Sequence, residues 1–327
     1  MEWNGKRVLV TGAGGFIGSH LAERLVELGS DVQAFVRYNS AGRRGWLDSS
    51  AVKNEMRVVA GDIADADSVL AAVQGTDIVF HLAALIGIPY SYQALSSYVS
   101  TNVQGTMNVL KAARHAGVER MVHTSSSEVY GTARYVPIDE DHPLQAQSPY
   151  SATKVAADKM AEAFHLSFGL PVVTIRPFNT YGARQSARAV IPTVIIQCMN
   201  GGAVKLGNLS PTRDLVHVSD TVAGFVSAGS APDVAGSVIN LGTNTEISIG
   251  DLAEKIAALM GTPLAVEQQA ERVRRDGSEV ERLLASNALA KEKLDWSPQH
   301  GLDEGLPPTI EWFRTHMDSY HPDVYAV

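Results

Sequence analysis

Residues 8–21, VLVTGAGGFIGSHL, leave a chain few folds to choose from. An apolar run breaks at Gly12, Gly15 and Gly18, spaced G-x-x-G-x-x-G, and passes straight into an amphipathic helical pattern. Glycines in such a turn permit a tight bend and close backbone approach. The helix that follows offers unpaired N–H groups to a pyrophosphate. The pattern predicts a buried strand over 7–12, a helix over 16–29 stopped by Gly29, and a dinucleotide-binding turn between them.

The same alternation continues. Strands are predicted at 31–37, 56–62, 77–84, 120–126 and 170–178, with long helices at 98–117 and 150–169. Strands apolar on both faces, alternating with helices, imply an α/β fold: a doubly wound, Rossmann-type parallel sheet covered on both sides. After residue 180 the rhythm breaks into a loop-rich stretch. One helix–strand unit follows at about 217–242, then helices at 248–260, 285–294 and 303–315, with an extended PLAVEQ piece between the first two. We therefore expect a dinucleotide-binding domain from 1–178 plus about 216–244. A smaller C-terminal substrate-binding lobe takes about 179–215 plus 245–327.

Composition narrows the function. The formal net charge of −8 argues against non-specific binding to nucleic acid or anionic membranes. No apolar run reaches the roughly 18 residues that span a bilayer, and the N-terminus lacks a signal-peptide layout. Cys198 is the single cysteine, so no intramolecular disulfide forms, and the cytoplasm is the expected compartment. The ten histidines show no ligand spacing, so no metal site is expected.

Two features carry chemistry. SPYSATK (148–154) starts a helix, with Ser148 as N-cap and Pro149 in the first position, which puts Tyr150 and Lys154 on one face. A phenol titrates near pH ~10, and a neighbouring ammonium favours its ionised form, making it a base. Taken alone, such a pair is more often a surface contact. Second, HTSSSEVYG (123–131) ends a strand in hydroxyls and a carboxylate, a costly place for a charge unless something uses it. The alternative for Glu128 is a structural pairing with a lysine or a backbone amide. The end of the second strand, AFVRYNS, carries Arg37 where NAD sites usually carry an acid for the ribose 2′-hydroxyl. Arginine there suits a 2′-phosphate and favours NADP over NAD, the alternative being a solvated side chain.

TGAGGFIG, HLAA, TNVQGTMNVL, TSSSEVYG, YSATK and RPFNTYG, in this order, resemble the extended short-chain dehydrogenase/reductase family over essentially the whole chain. The resemblance implies a tightly held NAD or NADP contacted by Gly12, Gly15, Phe16, Ile17, Gly18, Arg37, Asp62, Ile63, Leu82, Ala83, Ala84, Tyr150 and Lys154. It implies a nucleotide-sugar substrate touched by Ile86, Gly87, Tyr92, Ser126, Glu128, Asn179, Arg184, Arg188, Arg213 and Arg274. A homodimer through the two long helices, at about 100–116 and 150–168, is also implied. Within the family, Glu at 128 is similar to the base of sugar-nucleotide 4,6-dehydratases. Ser127 replaces the aspartate that donates a proton in the dTDP-glucose enzymes and matches the GDP-mannose 4,6-dehydratase pattern. The catalytic set so implied is Ser126, Ser127, Glu128, Tyr150 and Lys154. Decarboxylation of UDP-glucuronate, 4-epimerisation and a non-catalytic NADP sensor remain the alternatives.

Overall fold

The computed structural model describes residues 2–275 and 277–320. Its centre is a parallel seven-stranded sheet. Six strands are β1 (Arg7–Thr11), β2 (Asp31–Arg37), β3 (Met56–Gly61), β4 (Ile78–His81), β5 (Arg120–Thr124) and β6 (Val172–Pro177). They lie in the order β3-β2-β1-β4-β5-β6, and Val238–Leu241 closes the edge beyond β6. Chain order reverses between β1 and β4. That is where open α/β sheets form a crevice at the carboxyl ends of their strands.

Burial explains the strand sequences. All of β4, and β1 after Arg7, are buried, because helices cover both faces. One core joins α1 (Phe16–Glu27) and the Val218–Ser230 helix to the sheet through Leu21, Leu25, Val222 and Phe225. The other face packs against Val69, Val109, Leu110 and Phe164 from the helices at Ala66–Val73, Gly105–Ala116 and Pro149–Phe168. A third core, smaller than the one around α1, gathers Ile191, Ile195, Leu252, Ile256, Leu306 and Phe313 from helices in the second half of the chain.

Two expectations need correction. The tail after 245 does not all join the smaller core. Val280, Leu283, Ala285, Leu294 and Trp296 pack into the first sheet core, since Ile138 pairs with Ala285 and draws this segment back across the sheet domain. The helix expected over 98–117 begins at Leu95 and widens to a π-helical stretch at Val99–Gln104. Asn102 lies in that stretch. Its amide grips both backbone groups of Leu85 and the Thr153 hydroxyl, tying the segment after β4 to the Pro149–Phe168 helix.

Among the described residues, no helix is long and apolar enough to cross a membrane, and no cluster of His, Cys, Asp and Glu could hold a metal ion.

Candidate active site

One cavity of about 940 Å³ runs along the carboxyl ends of the strands, from the glycine turn to the helix bearing Tyr150. At its floor, Thr11 and His81 fix the two central loops against each other. His81 bridges the Thr11 and Thr106 hydroxyls, and Thr11 accepts the amides of Leu82 and Ala83. A Cβ on Gly12, whose φ is +73°, would fall 2.8 Å from the Ala83 nitrogen. A Cβ on Gly18 would strike the Gly12 carbonyl. Gly12 therefore lets the turn approach the segment after β4, and Gly18 lets α1 approach the turn. Gly15 precedes α1 with no side chain to cap it, and the first turn holds no acid. The leading amides of α1 are left for an external acceptor, which is what a dinucleotide pyrophosphate supplies. Gly12, Gly15, Phe16, Ile17, Gly18, Arg37, Asp62, Ile63, Leu82, Ala83 and Ala84 all line this cavity.

The catalytic candidates converge at the other end. Ser148 and Ser151 form a reciprocal capping pair that starts the Tyr150 helix, with Pro149 in its first turn. Tyr150 and Lys154 are both buried, and both line the cavity with Ser126, Ser127 and Glu128. Ser126 caps the short turn Ser127–Tyr130 by accepting the Glu128 amide at 3.2 Å, which sets the carboxylate inward. Burial pushes the Tyr150 phenol above its ordinary value. A hydrogen bond from Ser126 pulls it back, and the Glu128 charge adds to the rise. The phenol therefore stays protonated until positive charge is placed beside it.

Lys154 donates to the Thr124 carbonyl at 2.5 Å. Burial draws its ammonium down to about 8, against the opposing pull of Asp158. A lysine with a lowered folded pKa weakens the fold fully below pH 8. The penalty fades as pH rises toward the ordinary lysine value, because the unfolded chain then binds more protons. The shift is worth on the order of 3 kcal/mol, and the lost bond to Thr124 returns about 1 kcal/mol of that. Lys154→Met should thus stabilise the cofactor-free protein at neutral pH while removing activity. Thermal melts should show the gain shrinking toward pH 10.

Glu128 is not alone. The two terminal nitrogens of Arg274 each lie 3.5 Å from one of its carboxylate oxygens. Glu279 joins this group, 3.7 Å from Arg274 Nε and 3.4 Å from Arg213 Nη2. Arg213 is buried there, one step behind the cavity wall. Ile86, Gly87, Asn179, Arg188 and Arg274 line the cavity. Tyr92 and Arg184 do not. Tyr92 bonds Ser278 Oγ at 2.5 Å beneath the Arg275 guanidinium. Arg184 forks onto Glu23 at 2.9 and 3.0 Å and also reaches Ser19, so its charge is spent holding its loop to α1. Proximity in sequence to RPFNTYG gave no sign of that partner.

Sequence reasoning also missed several residues. Asn39, Arg43 and Arg44 line the cavity beside Arg37, and the run AGRRG between two strands was the available signal. Behind Ser126, the buried Asp158 accepts from Ser125 at 2.7 Å and from Arg176 at 3.0 and 3.2 Å, and bonds His123 Nε2 at 3.2 Å. Arg176 also donates to Tyr130, whose hydroxyl donates to Asn240. This network fixes the end of β5. It joins residues far apart in the chain, and only its i+4 relation to Lys154 could have flagged Asp158.

The geometry agrees with what the chain is similar to. The family model for GDP-mannose 4,6 dehydratase matches residues 9–309. A dTDP-glucose 4,6-dehydratase of Streptomyces griseus is 35% identical, over 98% of this chain and 97% of that protein. A UDP-glucose 4-epimerase of Mycolicibacterium smegmatis is 38% identical, over 94% of this chain and 98% of its own length. Among solved structures, the dTDP-glucose 4,6-dehydratase DesIV from Streptomyces venezuelae, with NAD bound, superposes with a TM-score of 0.88 at 31% identity, covering 97% of this chain and 99% of that one. The glycine turn, the buried Tyr150–Lys154 pair and this similarity along nearly the whole length together make the chain an enzyme of the GDP-mannose 4,6-dehydratase family, within the extended short-chain dehydrogenases/reductases.

Proposed function

We propose that this enzyme is a nucleotide-sugar 4,6-dehydratase, converting an NDP-hexose to its 4-keto-6-deoxy form. The observation that carries the reading is Glu128. A carboxylate lines the same cavity as Tyr150, Lys154 and Ser126, where a plain 4-epimerisation has no use for a base. The uncapped start of α1 and the glycine turn fit a dinucleotide, whose nicotinamide, when bound, supplies a reversible acceptor for the hydride from C4.

The residues divide the proton work. Tyr150 takes the C4 hydroxyl proton, with Ser126 holding the same oxygen and the Lys154 ammonium favouring the phenolate. The ketone at C4 acidifies the hydrogen on C5, and Glu128 removes that proton. The C6 hydroxyl leaves as water, taking one proton, while a double bond forms between C5 and C6. The hydride taken from C4 then returns to C6 and a solvent proton goes to C5, giving the 4-keto-6-deoxy sugar. Ser127 has no acidic proton comparable to a carboxylic acid, so Glu128 returns the proton it took to the departing oxygen. Each such group is worth about 10²–10⁴-fold in rate. Arg274, which lines the cavity, supplies a guanidinium fork suited to the diphosphate, with Arg213 adding positive charge behind it.

Arg37, Arg43 and Arg44 surround the cavity at the end of β2, with no acid at the end of that strand. This favours NADP over NAD. Arg37→Asp should shift the ratio of kcat/KM values toward NAD, and an unchanged ratio would remove Arg37 from cofactor choice. The reaction itself is tested by incubating the protein with UDP-, GDP-, CDP- and dTDP-linked glucose, mannose, N-acetylglucosamine and glucuronate. Loss of one water from a hexose supports dehydration. Loss of CO₂ from the glucuronate, or an unchanged mass with an inverted C4, overturns it.

A further inference from the structure

The segment after β2 lines the cavity through Asn39, Arg43, Arg44 and Gly45 and runs into the short turn Gly45–Ser49. It sits directly on the glycine turn. The Trp46 amide donates to the Gly14 carbonyl at 3.0 Å, and a Cβ on Gly45 would overlap that same oxygen. A Cβ on Gly14 would lie 2.5 Å from the Arg44 carbonyl. The two backbones therefore touch, and both glycines are needed for the contact.

Adjacent side chains of this turn are anchored in different cores. Leu47 is fully buried among the residues of the sheet core with α1. Trp46 packs against the smaller core instead. Its ring meets Trp312 edge-on at 5.3 Å between centroids and lies 6.1 Å from Tyr320. Trp312 and Tyr320 also contact each other and Phe313, so the cage is built from the last helix, Leu302–Thr315, and the turn after it. Tyr320 donates to the Gln185 carbonyl at 2.9 Å, and Gln185 lines the same cavity. Between Arg37 and Trp46, Asn39 grips the backbone of Arg43 in both directions, and Asp48 accepts the Arg44 amide. The segment is thus internally braced as well as pinned at its end.

We propose that Trp46 is a cofactor-retention residue. Caged by Trp312 and Tyr320, it staples the arginine-bearing segment across the adenosine half of the cleft, so that the smaller core holds the dinucleotide in. This rests on the reading that the cleft takes NAD or NADP. It suits the proposed chemistry, because a reaction that returns its hydride leaves the cofactor in its starting form and never requires exchange. The staple must open for the cofactor to leave, and opening it breaks the ring contacts and uncovers Leu47 together.

The test is a chase experiment on the full chain. Protein loaded with labelled NAD⁺ or NADP⁺ is mixed with excess unlabelled cofactor, and label release is timed. Wild type is expected to retain label through desalting. Trp46→Ala, which removes both ring contacts, should release it at least roughly tenfold faster, and Trp312→Ala, which leaves the Trp46–Tyr320 contact, should fall between it and wild type. The double variant should release it no faster than Trp46→Ala alone, and Trp46→Phe should fall between Trp46→Ala and wild type. Leu252→Ala, a buried residue of the same small core outside the cage, is the control for general loosening. Release from Trp46→Ala at the wild-type rate, or equal release from Leu252→Ala, would overturn the staple. Failure of wild type to hold either nucleotide would overturn the dinucleotide reading, and the staple with it.

Discussion

Glu128→Gln should stop water loss while leaving C4 oxidation in place. The expected result is a fall of about 10²–10⁴-fold in 4-keto-6-deoxy product. Two products of partial reaction diagnose it: a 4-ketohexose that keeps its C6 oxygen, and starting sugar that takes up no solvent deuterium at C5. The amide is close to the carboxylate in shape, so Arg274 loses an ionic partner without a cavity opening. Arg274 is itself held by Glu279, which limits its displacement. Mass spectrometry in heavy water reads both effects at once. Near-normal product from Glu128→Gln would transfer the base role to another residue, and the dehydratase reading would lose its main support.

Tyr150→Phe removes the proposed first proton acceptor and should lower turnover by a similar ~10²–10⁴-fold, with C4 oxidation lost as well. That distinguishes it from Glu128→Gln, in which oxidation survives. Tyr150 is buried, and its ring meets Tyr98 edge-on at 6.4 Å, a contact that phenylalanine preserves. The melting temperature should therefore stay close to wild type. The phenol is raised by burial and by Glu128, so its ionisation depends on cationic charge nearby. A Tyr150→Phe protein that still oxidised C4 would require a different acceptor.

The sequence alone carried the sheet and the glycine turn far. Runs apolar on both faces could only be strands buried between helices, and β1 to β6 lie where those runs predicted, within a few residues. Tyr150, Lys154, Ser126 and Glu128 were legible because spacing on one helix and position at one strand end are local properties. Arg184 illustrates the limit. An arginine looks alike in sequence whether it faces a phosphate or a carboxylate, and only the fold puts Glu23 within 3 Å of it.

What sequence determined is what depends on near neighbours: periodicity, caps, the glycine turn and the pairing of residues four apart. Tertiary structure alone decided that Arg274 rests on Glu128, that Asp158 braces β5 from behind, and that Trp46 and Leu47 enter different cores. Those contacts join residues from about 30 to 270 positions apart, and no local pattern encodes them, since long-range packing is settled only when the elements come together.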